Sequence, residues 1–113
     1  MLCKGENKIE MAFISNNLPL NRNDDYLYTL FVPANCRRAF PCLDQPDIKA
    51  TFSLTLNLPK DWEAISNGKI INTLDCDSLS KTIEFATTNL LPSYLFSFTC
   101  GEFERREEVF NGR

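Results

Sequence analysis

Along much of the chain apolar and polar residues alternate one by one, the mark of strands with a single buried face. The clearest stretch is Lys49 to Leu58. Phe52, Leu54, Leu56 and Leu58 fall on one side of it, and Thr51, Ser53, Thr55 and Asn57 on the other. Ile9, Met11 and Phe13 alternate with Glu10 and Ala12 and predict a first strand. Asn16 to Asp25, dense in Asn and Asp, predicts a loop. Tyr26 to Val32 is aromatic and apolar and predicts a second, well-buried strand. Pro59-Lys60-Asp61 predicts a turn. Trp62 to Ser66 and Lys69 to Thr73 flank Asn67-Gly68, a dipeptide that favours a tight hairpin turn with positive φ at both central residues. Thr82 to Ala86 predicts a short strand with Ile83 and Phe85 inward. Tyr94, Phe96 and Phe98 predict another, which Gly101 ends. No window carries a sustained helical stripe, and Ala34 to Phe40 leaves room for one helical turn at most. The pattern as a whole predicts an all-β fold, a curved antiparallel sheet or β-sandwich of saddle-like form.

Composition narrows the chemistry more than it narrows the fold. At 113 residues, 43% apolar and with nine Phe, the chain suits one folded domain with a core of its own. Net charge is −3 with both signs interspersed, which argues against a nucleic-acid surface; Arg37-Arg38 and Arg105-Arg106 are too few to change that. The longest apolar stretch, near Leu90 to Phe98, is interrupted by Pro92 and two serines and is too short for a membrane span. The first residues, Met-Leu-Cys-Lys-Gly-Glu, show no apolar targeting core. The five cysteines, Cys3, Cys36, Cys42, Cys76 and Cys100, are odd in number and lack a Cys-x-x-Cys pair, so small buried or half-buried thiols are expected rather than a disulfide or zinc framework. The absence of His removes histidine general bases and His-x-x-x-His metal sites. No catalytic residue and no metal ligand stands out.

The alternation stops between Val32 and Lys49. Pro33, Pro41 and Pro46 fix φ and remove backbone donors, so this stretch cannot join a sheet interior. Arg37, Arg38, Asp44 and Asp47 offer replacement hydrogen bonds, and an Arg–carboxylate pair is expected to hold the connector in one shape. That physical reading alone accounts for the composition.

The same residues also carry a resemblance. Arg37-Arg38-Ala39-Phe40-Pro41-Cys42-Leu43-Asp44-Gln45-Pro46, followed by Asp47-Ile48-Lys49-Ala50-Thr51-Phe52, resembles the signature of the N-terminal domain of M1-family zinc aminopeptidases, close to A-R-x-x-F-P-C-x-D-x-P-x-x-K-A-x-F. Within it Arg37, Pro41, Asp44 and Pro46 are the motif's structural positions. Cys36 stands where the leading alanine is common. Ile65-Ser66-Asn67-Gly68 resembles the family's "SNG" hairpin, and Leu91-Pro92-Ser93-Tyr94-Leu95 its "M-x-x-Y-L" strand. The match runs from about Asp24 to Phe103.

The resemblance implies that residues 1–113 form part of a saddle-shaped β domain lying over a zinc-peptidase domain. The implied partners are the catalytic domain of the same polypeptide and a peptide substrate. The implied cofactor is zinc in the parent protein, with none in this chain. The family's H-E-x-x-H zinc motif and G-x-M-E-N loop are absent, so the chain alone is expected to be non-catalytic and, as a part-domain, to self-associate. Relatives commonly carry T-Q-x-[Q/E] ahead of the signature, and the last of the four helps bind the substrate's α-amine. The matching residues here are Thr29, Leu30, Phe31 and Val32, so the two polar positions are Leu30 and Val32, which offer an ammonium no acceptor. Strand core is an equal reading of that pair. Two other readings of the whole chain stay open: a stand-alone β-sandwich binding module, and a scaffold relative of the M1 fold without zinc.

Overall fold

The structure, a computed structural model, describes residues 5–32 and 34–103. Cys3, Pro33, Arg105 and Arg106 lie outside the described residues. In chain order the elements are β1 (Leu20–Arg22), β2 (Tyr26–Thr29), the helical turn α1 (Cys36–Ala39), β3 (Lys49–Ala50), β4 (Thr55–Pro59), β5 (Glu63–Ser66), β6 (Ile70–Asp75), β7 (Ser80–Phe85), β8 (Leu91–Pro92), a 3-10 turn (Ser93–Leu95) and β9 (Phe98–Gly101). Every pairing is antiparallel. A four-stranded sheet runs β1-β2-β9-β5, a three-stranded sheet β4-β7-β6, and β3-β8 forms a two-stranded extension. The expected all-β, sandwich-like architecture with one helical turn is what forms.

Alternation explains how the sheets meet. Leu58 on β4, Ile83 and Phe85 on β7, Ala64 on β5 and Cys100 on β9 form one buried cluster, with Leu27, Leu54, Leu56 and Trp62 against it. The inner rows of both large sheets thus share a core. A second cluster, Phe31, Cys36, Ala39 and Phe96, lies beneath α1. Leu54 touches both clusters, so they are continuous.

Several expectations are corrected. The Lys49–Leu58 stretch keeps its predicted faces but is two strands rather than one. The register advances from Ala50↔Leu91 to Thr55↔Glu84, so the partner carries extra residues between Phe85 and Leu91. Thr88 absorbs them: its N–H donates to the Phe52 carbonyl (2.9 Å) and its hydroxyl accepts from the Phe52 N–H (3.0 Å). Ile9 to Phe13 forms no ladder among the described residues; its apolar side chains instead line a hollow over Phe40, Phe52 and Phe96. The Asn16–Asp25 loop contains β1, because Asn23 closes a tight hairpin by accepting from the N–H groups of Asp25 and Tyr26. The second strand stops at Thr29 and is buried on one face only, with Tyr26 and Tyr28 outward. The aromatic stretch after Pro92 begins as the 3-10 turn, and β9 starts at Phe98.

The Asn67-Gly68 expectation fails for an instructive reason. β5 pairs with β9 and β6 with β7, so this dipeptide crosses between sheets and is not a hairpin turn. Among the described glycines only Gly5 has positive φ. Asn67 is needed for its amide, which donates to the Leu95 carbonyl (2.9 Å) and accepts from the Ser97 N–H (2.8 Å). Gly68 is needed for space, since a Cβ there would sit 2.2 Å from the Ala86 carbonyl oxygen. That neighbour is backbone, so relief requires the crossover to move. Gly68→Ala is therefore expected to lower unfolding free energy by about 1–3 kcal/mol. Urea unfolding of the two chains checks this, and an unchanged midpoint contradicts it.

Candidate functional site

The irregular segment after Phe31 is built by local hydrogen bonds. The Asn35 N–H donates to the Phe31 carbonyl (2.9 Å) and the Phe40 N–H to the Cys36 carbonyl (3.1 Å), closing one helical turn. Phe40 is already extended, with φ −153°, and Pro41 prevents any further helix. Burial is selective within the turn: Cys36 and Ala39 face inward, whereas Arg37 and Arg38 face solvent. Ser15 donates to the Ala39 carbonyl (2.5 Å) and the Asn16 N–H to the Arg38 carbonyl (2.8 Å), tying the N-terminal strap across the turn.

Asp44 holds the segment together, though not with the predicted arginine side chain. One carboxylate oxygen accepts from the backbone N–H of Arg37 (3.1 Å), and the other accepts from the hydroxyl of Ser93. Among the described residues the Arg37 guanidinium makes no ion pair; Asp44 caps a backbone donor that the short turn cannot satisfy itself. Ser93 is 4% exposed and lies 49 residues away in sequence, so no local pattern points to the pairing. Pro41 and Pro46 are exposed and shape the connector around this carboxylate.

The thiols differ from expectation at one place, because Cys76 is exposed. Burial pushes the Cys36 and Cys100 thiols up from the ordinary range, and the neighbouring Cys42 and Asp44 raise Cys36 further. Cys42 is also raised by burial, opposed first by its hydrogen bond with Cys36 and then by Arg37. A thiol held protonated is a poor nucleophile, and both side chains belong to the packed cluster beneath α1.

Thr29, Leu30, Phe31 and Val32 divide by face. Thr29 is buried and its hydroxyl accepts from the Phe98 N–H (3.1 Å). Phe31 is 2% exposed and stacks on Phe96. Leu30 and Val32 are 56% and 52% exposed, so strand core does not describe them. Both lie just past the end of β2, beside the outer side of the four-stranded sheet. There Tyr26 stacks on Tyr28, and the register sets Tyr28, Thr99 and Ile65 in one row.

Zinc does not fit these residues. Among the described residues no three His, Cys, Asp or Glu side chains come together as a metal site, and the chain has no His.

The fold and the braced connector define a β-sandwich domain with an uncovered apolar sheet face. The comparisons then place it: the chain belongs to the Peptidase M1 N-terminal domain family, which matches residues 7–95. It is 33% identical to Tricorn protease-interacting factor F2 of Thermoplasma volcanium over 106 residues, covering 94% of this chain and 13% of that protein. To Puromycin-sensitive aminopeptidase of Caenorhabditis elegans it is 42% identical over 77 residues, 67% of this chain and 8% of that one. To Aminopeptidase N of Acetobacter pasteurianus it is 35% identical over 86 residues, 76% and 24% respectively. The chain thus spans a small part of the length of the relatives it matches.

Asp44→Ala leaves the buried Ser93 hydroxyl without its acceptor and is expected to cost about 1–3 kcal/mol. In a Ser93→Ala background the same change should cost clearly less. A double-mutant cycle on unfolding free energy checks the pair, and simple additivity contradicts it.

Proposed function

We infer that this chain is part of the N-terminal β domain of a zinc aminopeptidase of the M1 family. In the whole protein it caps the catalytic domain, and its outer sheet face helps wall the site for the substrate's N-terminus. The observation that carries this reading is the face itself. Tyr26, Tyr28 and Ile65 are exposed on one side of the four-stranded sheet, and Leu30 and Val32, just past the end of β2, are exposed as well; exposed apolar side chains grouped in this way fit a covering partner. The family match and the aminopeptidase relatives make a catalytic domain of the same polypeptide the natural partner. Zinc and the peptidase machinery then belong to that domain, with a peptide as substrate. Leu30 and Val32 give the substrate's ammonium an apolar wall and no acceptor, so its acceptors lie on the catalytic side.

The test is Val32→Glu in the full-length protein. A carboxylate there adds a charge-assisted contact of about 1.5–3 kcal/mol to a bound ammonium, so KM for substrates with a free N-terminus should fall roughly tenfold or more. KM for N-blocked substrates should not change. Because Val32 is exposed, stability should stay within about 0.5 kcal/mol of the parent. Unchanged KM for both substrate types at unchanged stability contradicts the substrate-facing role.

A further inference from the structure

The connector brings two thiols together. Cys36 opens the helical turn α1, Phe40 leaves that turn in extended form, and Cys42, after Pro41, packs into the cluster beneath α1 that Cys36 already occupies. The two side chains share a hydrogen bond. Cys36 is 0% exposed, whereas Cys42 is half-buried, so one sulfur of the pair is open to a reagent and the other is not. No other described thiol competes for either. Cys100 belongs to the cluster between the two large sheets, and Cys76 is exposed beyond the end of β6, its sulfur 3.0 Å from the Thr82 hydroxyl. Cys36 also stands where the signature commonly has alanine. With alanine there Cys42 would have no thiol beside it, so the pair is a feature of this chain rather than of the motif.

The backbone on either side of the pair is anchored. The Phe40 N–H donates to the Cys36 carbonyl (3.1 Å), and Asp44, two residues past Cys42, accepts from the Arg37 N–H (3.1 Å). These bonds keep the two sulfurs neighbours. Two neighbouring thiols, one of them accessible, are the starting arrangement for thiol–disulfide exchange.

We propose that Cys36 and Cys42 form a reversible disulfide that locks the connector when a small disulfide oxidant such as oxidised glutathione is present. The Cys42 sulfur attacks one sulfur of the glutathione disulfide, breaking its S–S bond and releasing one glutathione. The Cys36 sulfur then attacks the Cys42 sulfur of the mixed disulfide and releases the second. The two protein thiols lose two electrons and two protons, and glutathione disulfide is reduced to two thiols. The closure does not depend on the role proposed for the outer sheet face.

Burial holds both thiols protonated, which slows both steps. The 113-residue chain is therefore incubated for hours with millimolar oxidised glutathione, and the remaining free thiols are alkylated. Trypsin cuts after Arg22, Arg37, Arg38 and Lys49, so it separates the two cysteines. Mass spectrometry without reduction should find residues 23–37 joined to residues 39–49, and dithiothreitol should part them. In the joined chain, amide exchange at Phe40 should slow several-fold relative to Lys60. In a folded Cys42→Ser chain Cys36 should stay unmodified, because glutathione enters through the half-buried sulfur. The proposal is overturned if Cys76 takes up glutathione while the two peptides are recovered apart, if Phe40 exchanges unchanged in the joined chain, or if Cys36 is modified in folded Cys42→Ser.

Discussion

The structure turns on Phe96. Its ring stacks on Phe52 at 4.5 Å with planes 9° apart, stacks on Phe31 at 6.1 Å, and takes Phe40 edge-on at 5.9 Å. Those three partners come from different pieces of chain: the stretch just past β2, the residue closing the helical turn, and the run between β3 and β4. Aromatic pairs in such arrangements add roughly 0.5–1.5 kcal/mol each beyond the area they bury. An irregular connector has few ladder hydrogen bonds to hold it, so side-chain packing must do so. That is how a segment of prolines and arginines can sit directly before β3 and β4. Phe40 at its centre and Phe52 just beyond it reach the same ring, and the connector is wrapped around that contact.

The Asp44 brace acts on the other side of this cluster. It fastens the start of the helical turn to Ser93, three residues ahead of Phe96. Asn67 fastens the β5–β6 crossover to Leu95 and Ser97, on either side of the same phenylalanine. Three stretches that look unrelated in sequence therefore converge on residues 93–97. The outcome reaches the outer surface: with Thr29 bonded to Phe98 and Phe31 stacked inward, Leu30 and Val32 have no choice but to face out.

Much of this was legible in the chain. Strict alternation gave the faces of Lys49–Leu58 and the inward Ile83 and Phe85, and three prolines marked the connector. Contacts between distant residues were not legible. Asn67-Gly68 has the composition of a hairpin turn, but its roles are a side-chain staple and a close backbone approach, and only the partner strands decide between these. Asp44 looked like an arginine's partner because charge pairs are visible in sequence, whereas a buried serine 49 residues away is not. Ile9 to Phe13 carries a strand's period, but period specifies a face and not the neighbour needed to complete a ladder.

The central claim is that the Phe96 cluster, rather than the sheet ladders, holds the connector in shape. Amide hydrogen exchange in a Phe96→Leu chain tests it directly. Two connector amides report on the cluster, Asn35 bonded to Phe31 and Phe40 bonded to Cys36; Lys60, bonded to Leu79 at the far end of the three-stranded sheet, is the remote reference. The account predicts that exchange at Asn35 and Phe40 accelerates well beyond that at Lys60, as a local opening. Equal acceleration at all three amides, or none at Asn35 and Phe40, would contradict it.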